Sequence, residues 1–402
     1  MKTTKGSIVL FFTIICLIVM GPRVALCGSA NEDLEQRVER LEKKVEVNEQ
    51  GAGSGQENSA LQRISVGGVA AGAYQYQSVD DAMGYDDTGR GAFAFQPEIS
   101  FVLSEQDEFF AKFGFAAGDA LNAGKSPFTW APWAADLEAD VKNINGRDRD
   151  YLLTAWYKHT FDFSEDNALG VTGGLVDATD YLDENAYAND EYTQFMNQAL
   201  VNGPNGFLPS YDLGGALEWD MGDFALRGVV MGIGENDDGR SYTFYGAQLG
   251  YTLNTGLGEG NYRVLVDWTT EDFSNPTGDK EEAKSCVLLS FDQELGDILG
   301  AWIRFGWQDD SAAVTCDNLC SGGVDISGKL WGREQDNIGI GYAYLDGANQ
   351  DLDSSNVFEA YVRFLLNEYF ALTVDVQYVK DNMKTGDDPK GFISGLRLVT
   401  EF

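Results

Sequence analysis

The chain has a single histidine, His159, so a His-rich metal site is excluded and any nucleophile that needs an imidazole base has one position to draw on. By alternation His159 shares a face with Tyr157 and Phe161 beside a short turn, which reads as a rim residue in an aromatic girdle rather than a base. Two acidic clusters, Glu235-Asn236-Asp237-Asp238 and Asp346 with Asp351 and Asp353, have the residue types that hold calcium. Neither has the spacing of an EF-hand loop with its closing Glu, so they read as solvated loops or loops facing lipopolysaccharide. Cys316 and Cys320 sit in a Gly/Asp/Ser-rich segment and are expected to form a small loop disulfide, leaving Cys286 spare. No cofactor and no catalytic group is implied.

The remaining chemistry is charge placed at a period of two. Lys112, Lys158, Arg227, Arg263, Arg304, Lys329, Arg363 and Arg397 take the polar parity of alternating segments, and so do Glu98, Glu218, Asp220, Asp267, Asp325, Glu359, Asp375 and Glu401. Cations and anions balance on that face, so a strong ion filter on it is not indicated. Trp156, Trp302 and Trp331 share the parity, and an aromatic face beside a charged fork suits a sugar ring. The whole chain is far from balanced, with 64 Asp+Glu against 28 Lys+Arg in 402 residues and a net charge of −36. A partner bound through its phosphates needs a basic footprint, so nucleic acid is excluded.

Those charges need strands to position them. Phe93, Phe95, Ile99, Phe101 and Leu103 alternate with Ala94, Gln96, Glu98 and Ser100; Tyr262, Val264, Val266 and Trp268 alternate with Arg263, Asp267 and Thr269; Phe370, Leu372, Val374 and Val376 alternate with Thr373, Asp375 and Gln377. Val324, Ile326 and Leu330 are read the same way against Asp325, Ser327 and Lys329. About 16 such segments fit between Leu61 and Phe402, the repeat of an outer-membrane antiparallel β-barrel. Short turns, near Glu105, Glu165, Gly222, Leu295, Arg333 and Asn367, alternate with long acidic loops at 80–89, 117–148, 177–210, 272–284, 309–322 and 381–390, an asymmetry a soluble sandwich has no reason to show. The last strand ends on Phe402 with Leu396 and Leu398 on its face. Glycines inside strands, Gly246, Gly339 and Gly341 among them, are expected to permit the bends of closure.

Residues 1–30 read as a secretory signal, with Lys2 and Lys5 before an apolar run from Ile8 to Met20 that is too short for an anchor. Cleavage falls after Cys27 or Ala30. The competing lipoprotein reading of Val24-Ala25-Leu26-Cys27 wants a small residue where Leu26 stands. Residues 31–50 place Leu34, Val38, Leu41 and Val45 at coiled-coil spacing, which implies association with copies through residues 31–48, packing on the barrel floor, or a solvated helical spacer. Residues 51–60 form a Gly/Ser linker, and 61–402 the barrel.

The stretch from Gly173-Gly174-Leu175-Val176-Asp177 through Asp183-Glu184-Asn185-Ala186-Tyr187-Ala188-Asn189-Asp190-Glu191 and Gln194-Phe195-Met196-Asn197 resembles the carbohydrate-selective porins of the OprB type, as do Glu359-Ala360-Tyr361 and residues 372–378. The resemblance implies a 16-stranded channel in the bacterial outer membrane whose long loops narrow the pore and pass mono- and oligosaccharides by diffusion. It also implies arginines near the constriction. Outer-membrane lipid, lipopolysaccharide and small sugars are the partners expected.

The leading reading is therefore a sugar porin. The alternatives are a general or cation-preferring porin and a barrel sleeve for a partner such as a cytochrome. The pore-lining set expected is Glu98, Lys112, Trp156, Arg227, Arg263, Arg304, Trp331, Glu359 and Arg363 on the wall, with Asp183, Asn185, Asn189, Asp190 and Asn197 on a loop long enough to fold inward and offer hydrogen bonds to sugar hydroxyls.

Overall fold

The computed structural model describes residues 63–147 and 151–402. The expected signal sequence, coiled-coil segment and linker, and the association of copies expected through residues 31–48, lie outside the described residues. The strands run β1 (Ile64–Asp80), β2 (Thr88–Val102), β3 (Asp107–Phe113), β4 (Phe115–Ala117), β5 (Leu152–Ser164), β6 (Asn167–Val176), β7 (Asp212–Met221), β8 (Phe224–Ile233), β9 (Tyr242–Thr255) and β10 (Gly258–Thr269). They continue through a small hairpin, β11 (Phe273–Ser274) and β12 (Glu281–Glu282), to β13 (Ser285–Leu295), β14 (Leu299–Gln308), β15 (Cys316–Ser327), β16 (Asn337–Gly347), β17 (Leu352–Leu365), β18 (Phe370–Met383) and β19 (Lys390–Glu401). Two short helices, α1 (Glu138–Lys142) and α2 (Gln198–Val201), lie in loops.

All strands but β11 and β12 belong to one antiparallel sheet, each paired with its neighbours in sequence, and β1 pairs with both β2 and β19, with Gly72 opposite Leu398. The sheet is closed, so no edge is left with unpaired N–H and C=O groups. β2 pairs with both β3 and β4, which form one strand interrupted at Gly114, so the barrel has 16 strands. The chain closes on itself through Phe402, whose backbone exchanges hydrogen bonds with Gly68.

Apolar side chains of one parity point outward and stay exposed: Phe93, Ile99, Leu217, Val230, Leu249, Val264, Trp307, Phe358, Leu396 and Leu398. In water that face would be unstable; in hydrocarbon it is the surface that must be apolar. The opposite parity is not uniformly polar. Across β13–β18 it carries Leu288, Trp302, Leu319, Ala343, Leu345, Val357, Tyr361 and Val379, all buried in one cluster with Phe195, Leu200 and Val201 of the loop between β6 and β7. That loop lies inside the barrel, and half of the wall is its hydrophobic seat.

Three expectations differ. Cys316 and Cys320 are not bonded. They lie on β15 rather than in a loop, and the register shift between Cys316 and Asn318 puts an extra residue between them, so Cys316 is buried and Cys320 exposed on the outer face. Opposed side chains on an extended strand cannot reach disulfide geometry. The external loop expected at 309–322 is accordingly shorter, ending where β15 begins. Trp331 and Lys329 do not line the wall: β15 stops at Ser327, whose hydroxyl caps the 3-10 turn Gly328–Trp331 at the short-turn end, and Gly332 closes that turn at φ 79°.

Candidate functional site

Two inward loops define the lumen, one of residues 118–147 and one of residues 177–211. The second is locked by buried charge. Arg304 on β14, with no exposed surface, donates from Nε to Asp183 Oδ1 at 2.9 Å, and from its two terminal nitrogens to the carbonyls of Leu200 and Ala188. Arg397 on β19 donates to the carbonyls of Glu191 and Gln194, and Glu359 on β17 accepts the backbone N–H groups of Met196 (2.6 Å) and Asn197 (2.9 Å). Between these clamps Phe195 stands edge-on to Tyr361 and Trp302, at 5.2 and 5.6 Å. It fits because Gly341 beneath it has no side chain: a Cβ there would come within 2.8 Å of the Phe195 ring. The loop of residues 118–147 is held through Pro132, whose carbonyl takes hydrogen bonds from Gln75 and Gln377 at 2.9 Å each, and through the Trp133 indole, which donates to the Glu191 carbonyl.

The loop residues expected to meet sugars hold the loop together and tie it to the wall. Asp183 also accepts from Gly203 N, Asn185 donates to Ser290 and Phe291, and Asn189 accepts from Asn202. Asp190 closes a turn through Tyr192 N and Thr193, and Asn197 caps α2 while donating to Gln377. Those of Asp190 and Asn197 to the backbone are an Asx turn and a helix cap, the commonest local use of such side chains, while Asp183 and Asn189 bridge more distant parts of the loop. Arg304 and Glu359, expected in the pore lining, act with them.

Five further wall cations are paired across strands: Lys112 with Glu98 at 3.4 Å, Lys158 with Glu218 at 2.6 Å, Arg227 with Asp220 at 2.7 Å, Arg263 with the buried Asp292, and Arg363 with Glu401 at 3.8 Å. The Lys158–Glu218 pair reaches across β6 over Gly170, where a Cβ would lie 2.7 Å from the lysine chain. Trp156 stacks on Phe110 with centroids 5.0 Å apart, beside Lys112 and Lys158. His159 sits at the short-turn end with Nδ1 2.8 Å from Asp107, edge-on to Phe161. Asn236 accepts the Asp238 N–H within its own loop and Asp238 accepts the Ser274 N–H of β11, and among the described residues no metal-ligating group converges.

Two polar cavities, of about 490 and about 260 Å³, adjoin in the lumen and share Asp177, Thr179, Glu191 and Tyr211. The larger opens toward Glu401 and Phe402, the smaller toward 201–211. Their acids feel the enclosure. Burial raises Asp136 to about 6 even though the Tyr211 hydroxyl donates to it. Burial raises Asp177 likewise to about 6, burial and then the neighbouring Asp177 charge raise Asp180 to about 7, and burial raises Glu191 well above the usual carboxylate range. Of these, Asp177, Asp180 and Glu191 lie in the stretch that carries the family resemblance, and the inward folding of the loop brings them to the cavities.

Comparison with known proteins agrees with the architecture. Residues 136–402 match the family described as carbohydrate-selective porin, OprB family. An uncharacterized protein of Aquifex aeolicus is 32% identical over 276 residues, which are 68% of this chain and 76% of that protein. The high-pH structure of Pseudomonas putida OprB superposes with a TM-score of 0.68 at 14% identity, covering 87% of this chain and 96% of that one. The outer membrane channel DcaP of Acinetobacter baumannii gives 0.53 at 12% identity, covering 84% and 97%. With a closed barrel of outward apolar strands, a lumen narrowed by its own loops and a family match over most of its length, the chain belongs to the OprB family of carbohydrate-selective porins.

Proposed function

We propose that selection among solutes takes place where the inward loops face the charged wall, and that Asp177, Thr179, Glu191 and Tyr211 form the narrowest passage. As an OprB-family porin the protein sits in the bacterial outer membrane and passes carbohydrates by passive diffusion. The observation that carries the finer reading is the division of the lumen. One half is filled by loop packed on β13–β18, and the other keeps paired charges and two adjoining cavities.

A sugar in transit must trade hydrogen bonds with water for equivalent ones at each step, and must not be held. Paired charges do this: Lys112, Arg227 and Arg263 donate and Glu98, Asp220 and Asp292 accept, each satisfied by its neighbour when no solute is present. Trp156 adds an aromatic surface for the C–H face of a ring. Arg363 and Glu401 extend the pairing toward the short-turn end. In this reading Asp183, Asn185, Asn189, Asp190, Asn197, Arg304 and Glu359 are positioning residues that fix the loop, and the protein is a channel without catalytic chemistry. Association of copies through residues 31–48 and contact of the acidic loops with lipopolysaccharide belong to the proposal as well.

The test is liposome swelling with sugars of increasing size. Rates should fall steeply with size, and deleting Tyr187–Asn197 should flatten that dependence. Vesicles that stay sealed with wild-type protein would favour the sleeve reading, and an unchanged size dependence after deletion would remove the loop from the passage.

A further inference from the structure

On the wall Lys158, Arg227 and Arg263 are matched by acids, whereas around one cavity the acids far outnumber the cations. The larger cavity is lined by Glu98, Asp177, Asp180, Asp190, Glu191 and Glu401 against one cation, Lys112, whose ammonium is already committed to Glu98. Asp177 and Asp190 are used by local turns. Asp180 and Glu191 receive no hydrogen bond from any other described residue, and Glu191 belongs to the passage shared by both cavities. A second observation is independent of charge. Tyr192 lines the same cavity, is 7% exposed, and its hydroxyl has no hydrogen-bond partner. A buried hydroxyl left unpaired is costly unless something comes to pair it.

We propose that this cavity is a solute subsite for neutral and cationic polyhydroxy compounds, amino sugars above all, which turns away sugar acids and sugar phosphates, with Glu191 as a specificity-determining residue. The inference rests on the porin reading above and narrows its substrate class. An ammonium entering the cavity meets two carboxyl groups free of other partners within a low-dielectric wall; burial disfavours their charged form and the entering cation favours it, with field lines focused and screening by salt reduced. A carboxylate or phosphate on the solute meets the same groups with the opposite sign, and Lys112 cannot serve it without abandoning Glu98. The sugar hydroxyls remain to pair the Tyr192 hydroxyl. Rings of Asp and Glu select cations in other channels by the same physics.

The experiment is reversal-potential measurement on the full-length protein in planar bilayers at pH 8, with gradients of potassium chloride, glucosamine hydrochloride and sodium gluconate. Wild type should prefer potassium over chloride by about threefold or more, pass glucosammonium ahead of chloride, and pass sodium ahead of gluconate. Glu191→Gln and Asp180→Asn should each lower the cation preference, and Lys112→Gln should raise it. Tyr192→Phe should leave the ion preference in place while changing the relative rates of neutral sugars in swelling assays. Chloride preference in wild type, or equal passage of gluconate and glucosammonium, overturns the proposal while leaving the porin reading intact. A wild type that forms no channels at all overturns the porin reading first. Each variant is checked for a strand-dominated circular dichroism spectrum, and because Asp180 and Glu191 lie at separate points of the loop, a fold defect in one leaves the other to decide.

Discussion

Replacing Arg304 by Met should release the inner loop while leaving the barrel closed. Arg304 and Asp183 are both fully buried, and the guanidinium holds three points of the loop at once: the Asp183 carboxylate and the carbonyls of Ala188 and Leu200. Removing one partner of a buried ion pair costs about 3–5 kcal/mol, because the other charge is left without compensation. All of that cost falls on the docked state of the loop, since in the undocked state Asp183 meets water. At about 1.4 kcal/mol per factor of ten, the docking equilibrium shifts by roughly a hundredfold to several thousandfold. Single-channel recording should show this as flicker between the wild-type conductance and a larger one, with the strand spectrum unchanged. The double variant Arg304→Met with Asp183→Asn should be steadier than the single one, because neither residue then carries an unpaired charge, and Asn tolerates the left-handed backbone that Asp183 adopts at φ 58°. A folded Arg304→Met channel with wild-type conductance and noise would refute the reasoning and assign the docking to the apolar seat alone.

Gly341→Leu should displace Phe195, whose ring lies 2.8 Å from the position a Cβ would take; conductance should rise and thermal stability of the folded barrel fall, by about 1–3 kcal/mol in lipid unfolding assays. Cation preference should depend on pH: Asp177 at about 6 and Asp180 at about 7, facing each other with Lys112, Glu98, Asp136 and Glu218 nearby, are neutral below those values and charged above them. The potassium-to-chloride ratio should therefore climb between about pH 5 and 8, and a flat profile would count against their place in the passage. Cys320 should react with maleimide in detergent while Cys286 and Cys316 react only after unfolding, and reduction should leave gel mobility unchanged.

The barrel was legible because lipid imposes one demand on every strand. Phe93 to Leu103 or Phe370 to Val376 must show apolar residues to the membrane at a period of two whatever else the strand does, so closure, strand number and the short turns follow from the pattern. The same demand misleads where a pattern outlasts its strand. Leu330 keeps the alternation begun by Val324 and Ile326, but Ser327 caps a 3-10 turn and carries Trp331 to the rim. At Cys316 the opposite happens: one extra residue on β15 turns the parity over, and no periodicity argument registers a bulge.

The inner face obeys no such single demand, and there the site was only half visible. Alternation correctly sent Arg304, Glu359 and Arg397 inward, yet parity cannot distinguish a charge that meets solute from one that meets a loop. Leu288, Leu345 and Val357 at inward positions held the missing signal, since apolar side chains facing a wet channel imply that something dry covers them. Once a loop is seated on them, its Asp and Asn residues are engaged as caps and tethers and its arginine partners as clamps. What the loop leaves without a partner is Asp180 and Glu191, the groups proposed to face the solute. The acidity around the larger cavity thus has two sources, Glu98 and Glu401 on the strands and Asp177, Asp180, Asp190 and Glu191 on the segment folded into the barrel, and periodicity reaches only the first of them.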